Sequence, residues 1–470
     1  MFSAKHCLLP ALMACAIGVG IGTARGADPS SQQLQQKVDQ LEAKVASLEA
    51  NQNQTAAAAA QQVVSEADKH SMLMGSVPTG TGYDQATGFH IASDDGNFFF
   101  HPWSLVQFRA VANYRDSLND ATGSGADAPA TGDDTESGFE IRRFQLGIDG
   151  HIYTPNLNYC LMLEADRSGG SVSLQDAYVT YRLGNTSCWS IKGGQFEDIA
   201  WHETNVDDAH QLAAERSMVS ALIGGTITGP FGGAVERVQG ITVLYQQGNL
   251  HAEAGYHDGY ATANTKFFDT SILPGVQENF GVSGRVEYKL MGDQVAWDEY
   301  KQFTAMDAKS DALIVGGGVD WTQAGSNDGL WYTVDAQYDN PNGLSAYAAF
   351  LGMFAHSPKG ITELLPSGDY SNCGFLVQAG YMINRQWEPF VRYDYTSLKG
   401  EFGNAFYGSE HSVHELTAGV NYYFYGQRAR VTLDGTYLPN GSPVDADGLG
   451  DLTDNGHAQF IARLQLQLLI

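Results

Sequence analysis

Beyond Gly26 the chain has no apolar run near the ~20 residues that a membrane-spanning helix requires, so any insertion into a bilayer must use strands. Cysteine is scarce. After the leader only Cys160, Cys188 and Cys373 remain, an odd number and too few for a disulfide framework, and they read as buried or lipid-facing thiols. Basic residues are in the minority: Lys+Arg 26 stand against Asp+Glu 53, and the formal net charge of −27 argues against nucleic acid as a partner and against an anion-attracting exterior. Catalytic motifs are missing as well, with no nucleophile elbow, zincin motif or phosphate-cradling glycine loop in a supporting context. No enzyme activity, catalytic residue or cofactor is expected.

What is present is Gly 54, Tyr 23 and Phe 22, the alphabet of glycine turns and aromatic belts. At the N-terminus Lys5 and His6 precede an apolar stretch, Leu8 to Ile21, and the small residues of Ala24-Arg25-Gly26-Ala27 follow. This is a secretory signal with cleavage after Gly26. A second reading takes Leu12-Met13-Ala14-Cys15 as a lipoprotein box, with Cys15 as the lipidated terminus.

After the leader, Leu34, Val38, Leu41, Val45 and Leu48 fall at spacings of four, three, four and three, a heptad seam of about three repeats. Val at a and Leu at d favour a dimer, whereas a barrel that follows would favour a trimer; a single amphipathic helix is the plainer alternative. Ser76 to Gly88 reads as a Gly/Thr/Pro linker.

From Asn97 the period changes to two. In the segment Val282 to Leu290, apolar Val282, Gly284, Val286, Tyr288 and Leu290 alternate with Ser283, Arg285, Glu287 and Lys289, which sets one face in lipid and the other in water. Similar segments begin the region (Val106 to Tyr114) and end it (Phe460 to Ile470). Thirteen more are expected near 139–152, 157–166, 174–183, 188–196, 237–247, 249–257, 311–321, 329–338, 344–354, 374–383, 386–397, 411–425 and 427–437. The links alternate: tight ones such as Gln247-Gly248-Asn249 and Asn384-Arg385 separate long ones at 116–137, 197–236, 257–280, 356–373, 398–410 and 438–457. The outer links Arg167 to Ser171 and Thr322 to Asp328 are short, and Gly292 to Ser310 is long where a tight turn is due. A soluble β-sandwich would alternate too, but with fewer Arg, Glu and Gln opposite the apolar face of nearly every strand.

The fold expected is therefore all-β, a transmembrane antiparallel β-barrel of about sixteen strands, preceded by an N-terminal helical coiled coil. Residues 1–26 form the signal peptide, 30–68 the periplasmic coiled-coil helix, 69–96 the linker and 97–470 the barrel.

Asp95-Gly96-Asn97-Phe98, Phe139-Glu140-Ile141-Arg142-Arg143, Gly194-Gln195-Phe196, Glu215-Arg216-Ser217, Pro389-Phe390-Val391-Arg392-Tyr393-Asp394 and Gly419-Val420-Asn421-Tyr422-Tyr423 occur in that order. In this the region from about Gly88 to Ile470 resembles the phosphate-selective porin (O/P-type) family of Gram-negative outer membranes. The resemblance implies a homotrimer in outer-membrane lipid and lipopolysaccharide that passes small hydrophilic solutes or ions, with its third extracellular loop folded inward. The third outer link, Glu197 to Glu236, is the longest. It has no lysine, and its arginines are Arg216 and, at its end, Arg237, against Glu197, Asp198, Glu203, Asp207, Asp208, Glu215 and Glu236. This departs from the basic constriction of anion-selective members. A further departure is Ile470, where an aromatic terminus is usual.

Strand parity puts Arg109, Arg143, Arg182, Lys192, Arg285, Lys289, Arg392, Arg430 and Arg463 on the polar face. A basic wall opposing an acidic loop (Glu197, Asp198, Glu203, Asp207, Asp208 and Glu215, with Arg216) sets up a transverse field on a hydrated solute. Cross-strand ion pairs are the plainer role for each basic residue. His202 and His210 with their acidic neighbours match no ligand motif, and no metal is expected. Asp445, Asp447, Asp451 and Asp454 read as a solvated acidic loop or a Ca²⁺-bridging one. Three functions stay open: passive diffusion, a tether to peptidoglycan through the coiled coil, and a phosphate or anion channel.

Overall fold

The computed structural model describes residues 80–84, 88–115, 135–165, 170–185, 187–223, 237–259, 280–324, 327–357, 368–399, 411–442, 449–452 and 457–470. The expected signal peptide and the seam of Leu34, Val38, Leu41, Val45 and Leu48 lie outside them. Among the described residues there are eighteen strands. Two short ones, β1 (Gly80–Asp84) and β2 (Gly88–Ala92), pair as a hairpin within the stretch read as linker.

The other sixteen make the barrel. They are β3 (Phe99–Arg115), β4 (Thr135–Ile152), β5 (Thr154–Ala165), β6 (Val172–Arg182), β7 (Trp189–Glu197), β8 (Arg237–Gln247), β9 (Leu250–His257) and β10 (Phe280–Met291). They continue as β11 (Ala312–Ala324), β12 (Asn327–Asp339), β13 (Leu344–Ser357), β14 (Gly368–Tyr381), β15 (Trp387–Leu398), β16 (His411–Tyr425), β17 (Ala429–Leu438) and β18 (Gln459–Leu469). Each of the sixteen expected strands is found, and every neighbour pair is antiparallel. β18 returns to β3, with Gln459 opposite Arg115 and Leu469 opposite Leu105, and Ile470 exchanges both backbone hydrogen bonds with Ser104 at 2.9 and 3.0 Å. Closure leaves no sheet edge to be satisfied in lipid.

The period of two carries the barrel's two surfaces. Along β18, Phe460, Leu464, Leu466 and Leu468 are exposed on the outside, while Gln459, Arg463, Gln465 and Gln467 are buried within. Outward aromatics gather in two belts. Trp189 packs on Tyr245 (4.8 Å) and Trp387 on Tyr422 (4.7 Å) at the tight-turn end, whereas Phe280 with Trp321 (5.4 Å) and Tyr332 with Phe354 (5.6 Å) lie toward the long-loop end. Amphipathic rings at two levels around an apolar band match the two interfaces of a bilayer.

Strand β13 breaks the apolar/polar alternation. Its inward positions Tyr347, Ala349, Leu351, Met353 and Ala355 are as apolar as its outward ones, and all are buried. An apolar wall inside a water-filled barrel needs a cover, and the long link after β7 supplies it.

Candidate functional site

Leaving β7 at Glu197, the link turns into the lumen rather than out over the rim. Asp198 accepts the backbone N–H of Ala200 (3.1 Å), and the Ala200 carbonyl lies so close to Gly318 of β11 that any side chain there would overlap it. Arg285 donates to the same carbonyl (3.1 Å). A helical turn follows at His202–Asn205, then a second helical segment at Met218–Ile223. Met218, Val219, Leu222 and Ile223 pack on the apolar lumen wall with Leu351, Met353, Leu376 and Leu398, and Trp331 donates to the Ile223 carbonyl (3.1 Å). Backbone contacts to Gln107, Gln467, Asn421, Asp434 and Arg392 carry the loop right across the barrel.

Most of the loop's acidity is spent in this anchoring. Glu215 is buried in a cage of guanidiniums, with Arg109 at 2.6 Å, Arg142 at 2.5 Å and Arg143 at 3.0 Å. Burial alone would raise its pKa; the three arginines hold it well below the usual carboxylate range. Asp208 is treated in the same way: burial opposes ionisation, but Arg143 (3.1 Å) and Arg216 (2.8 Å) bring it to about 2. Glu203 accepts from the backbone and hydroxyl of Ser217 (2.9 and 2.6 Å) and from the Ser220 hydroxyl. Arg216 also holds the carbonyls of Thr204 and Val206. Asp198 is buried and Glu197 half-buried. Asp207, with a side chain 78% exposed, alone among these seven residues faces water.

The basic residues sort likewise. Arg109 pairs with Glu140 and Glu215, Arg285 with Glu287 (2.6 Å) and Asp335 (2.8 Å), Arg392 with Glu415 (2.7 Å), Arg463 with Asp434 (2.7 Å), and Lys192 with Glu253 (2.8 Å). Lys289 donates to the Val295 carbonyl and sits over the Trp297 ring at 4.3 Å. Arg430 is buried and donates to Gln427 (3.2 Å), and Arg182 is half-buried at the end of β6. In buried pairs of this kind the partner charge, not water, stabilises each ion.

His202 and His210 do not come together. His202 hydrogen-bonds Gln337 (3.0 Å), while His210 lies beside Asp207 (3.7 Å). The group that does converge is Asp198, His257 and Asp320, with ligand atoms within 4.8 Å of one another. There the Gly259 N–H donates to His257 Nδ1 (3.1 Å), which leaves the proton on Nε2, aimed at Asp320 (2.6 Å). The ring's lone pair is already used, and the cluster serves as a hydrogen-bonded root for the loop. Of the four aspartates of the last long link, Asp451 alone is among the described residues. It is buried, and its pKa is pushed up to about 8 by burial and by the charge of Glu415.

Opposite the apolar wall, strands β5 to β7 line the lumen with Cys160, Asp176, Tyr178 and Lys192. The charge of Asp207 reaches Cys160, Asp176 and Tyr178, and Arg237 holds Asp176 at 3.1 Å. Parity alone assigned Lys192; Cys160, expected as a buried or lipid-facing thiol, is instead half-buried at an inward position of β5, and Tyr178, also inward, was not singled out.

The long inner link finds its reason here. Residues 292–311, between β10 and β11, fold up into the barrel and meet the third outer link from below. Phe303 donates its N–H to the His210 carbonyl (3.2 Å), Tyr300 stacks on His202 (3.8 Å), and Phe303 packs on Tyr347 (4.6 Å). Thr304 donates to Glu388 (2.7 Å) and Gln337 to the Gln302 carbonyl (2.7 Å). Val295, Tyr300, Phe303 and Ala305 are buried, while Asp298, Lys301, Asp307 and Lys309 stay exposed. Between the two segments a cavity of about 940 Å³ opens, lined by both and by the turns at Pro341 and Asn384.

A closed barrel of this size, belted by aromatics and crossed by an inward loop, is the architecture of a porin. Residues 119–308 match the family of phosphate-selective porins O and P. No curated protein sequence matches the chain. Among solved structures, the anion-selective porin from Comamonas acidovorans is similar in fold at 14% identity and a TM-score of 0.54, over 79% of this chain and 99% of that one. OmpF of Salmonella typhi (14% identity, 81% and 100% covered, TM-score 0.49) and the outer membrane channel DcaP of Acinetobacter baumannii (12%, 82% and 100%, 0.47) also align. The chain has the fold of an outer-membrane porin barrel; by the convention for that fold its long links are named as extracellular loops and its tight turns as periplasmic turns, and the inward links are here loop L3 and turn T4.

Proposed function

We propose that this porin is a passive diffusion channel for small hydrophilic solutes and ions, working as a homotrimer, with its pathway between L3 and the wall of β5 to β8. The observation that carries this reading is the asymmetry of the lumen. L3 covers the apolar wall of β13 to β15 and is bolted beside it, to the arginines of β3 and β4, by Glu215, whereas on the other side the wall is polar and faces the solvated carboxylate of Asp207. A hydrated solute gains nothing from the apolar side and keeps its hydrogen bonds on the polar side.

Paired charges in the wall act at short range as dipoles, so they order water and repel apolar solutes without demanding a tight binding site. The reading is tested by solute flux into liposomes: sugars and amino acids should enter at rates that fall with size and do not saturate. Saturation at low concentration would mark a substrate-specific channel instead.

The heptad seam favours a second, compatible role as a tether to peptidoglycan. Deleting residues 30–60 should loosen the envelope and leave solute uptake intact; unchanged envelope integrity would end the tether reading.

A further inference from the structure

We propose that turn T4, residues 292–311, is the pore's cation filter, a periplasmic segment folded up into the lumen whose carboxylates, rather than those of L3, set the ion preference. The inference rests on the channel reading above and deepens it.

Selectivity in a wide pore follows from charges that remain unpaired near its narrow part and lie within about a Debye length, ~8 Å, of the passing ion. A carboxylate in contact with a guanidinium presents a dipole and little net field. By that measure L3 is nearly silent despite its composition. Glu215 faces three arginines, Asp208 faces two, and Glu203 is enclosed by serines. Among the described carboxylates of the loop, Asp207, beside His210 at 3.7 Å, is the one that faces water.

T4 is the reverse case. Its five carboxylates, Asp293, Asp298, Glu299, Asp307 and Asp311, outnumber its two lysines. Val295, Tyr300 and Phe303 are buried in the packing against L3 and the wall, and Asp298, Asp307 and the lysines are left on the water side. Asp298, with an 89% exposed side chain, Glu299 and Asp307 line the cavity below L3 together with Asp207, against Lys301, Lys309 and Arg385. Lys301 pairs with Asp298 at 3.3 Å, which leaves Asp207, Glu299 and Asp307 in excess over Lys309 and Arg385 in the lining of the cavity. Glu388, Gln337, Tyr347 and His202 grip the segment at several points, so these carboxylates are held at a fixed depth. Asp207 lines this acidic chamber and also faces the path along β5 to β8, so an ion that passes Asp207 enters the field of the chamber.

The test is the reversal potential of the full-length mature protein in planar bilayers across a tenfold KCl gradient. The wild type should prefer potassium over chloride, and less so in molar salt, where the Debye length shrinks to about 3 Å. The triple variant Asp298→Asn, Glu299→Gln, Asp307→Asn should still conduct but lose at least threefold in the potassium-to-chloride permeability ratio. The single variants Asp298→Asn and Asp307→Asn, both at exposed positions, should each show part of the loss, which keeps the test open if the triple variant folds poorly. A cation-preferring wild type whose ratio survives these substitutions overturns the filter and leaves the channel standing, as does a wild type that prefers chloride. Folded wild-type protein that inserts without conducting overturns the channel reading itself, and the filter with it.

Discussion

The imidazole of His202 lies flat on the phenol of Tyr300, ring centroids 3.8 Å apart and planes 13° from parallel, although the two side chains enter the barrel from opposite ends. The Tyr300 hydroxyl donates onward to Asp335 at 3.0 Å, which also takes Arg285 at 2.8 Å. One stack thus fastens the extracellular loop to the periplasmic turn and both to the wall.

Tyr300→Ala should therefore release T4. Aromatic pairs contribute about 0.5–1.5 kcal/mol beyond their buried area, enough to raise the population of a displaced turn several-fold without unfolding the barrel. Single-channel recordings should show larger and noisier openings, and Tyr300→Phe, which keeps the stack, should lie close to wild type. Identical conductance in Tyr300→Ala and wild type would show that T4 does not narrow the path.

Glu215→Gln should be far more damaging than any exposed acidic change. It takes from Arg142 its carboxylate partner and leaves three crowded, buried guanidiniums facing only Glu140 and Asp208, a loss on the order of 3–5 kcal/mol. Heat-induced unfolding of the purified protein should occur at clearly lower temperature. The pH dependence follows from the same cage. Because the carboxyl is held well below its ordinary value of 4.5, the stabilisation is present above that value and is lost only as the pH falls through the depressed one. Conductance at pH 5 should match that at pH 7.

Asp451 behaves in the opposite sense. Burial and Glu415 raise it from 3.8 to about 8, so the tucked form of the last extracellular loop is most stable below about pH 4 and loses stability as the pH climbs through about 8. Gly450, Leu449 and Leu452 tie that loop to Asn113, Arg463 and Gln459. Limited proteolysis of the loop should be faster at pH 9 than at pH 6, and Asp451→Asn should flatten the difference. Equal rates for the wild type would contradict the assignment.

The barrel was legible in the sequence because a strand between lipid and water must alternate, and Val282 to Leu290 or Phe460 to Ile470 do so residue by residue. Loop alternation likewise marked L3 by its length. The pairing inside the lumen was not legible, since parity tells that Arg109 and Arg143 point inward but not that Glu215, some 70 to 110 positions along the chain, meets them. Composition consequently made L3 look like an acidic opponent to a basic wall, when most of those charges neutralise one another in contact. Two signals were available but needed the fold to read. The inward face of β13 is apolar, which demands a cover, and Val295, Trp297, Tyr300 and Phe303 crowd a link that should be a tight turn.

The central claim, a water-filled path along β5 to β8 beside Asp207, is tested most directly at Cys160, whose thiol the structure sets on the lumen side of β5 within the field of Asp207. Stepwise ohmic openings of the purified protein in a planar bilayer should shrink by a third or more when a bulky, water-soluble methanethiosulfonate is added, and a Cys160→Ser variant should not respond. Open channels that ignore the reagent, with Cys160 shown by mass to be modified, would place the path elsewhere and contradict the account.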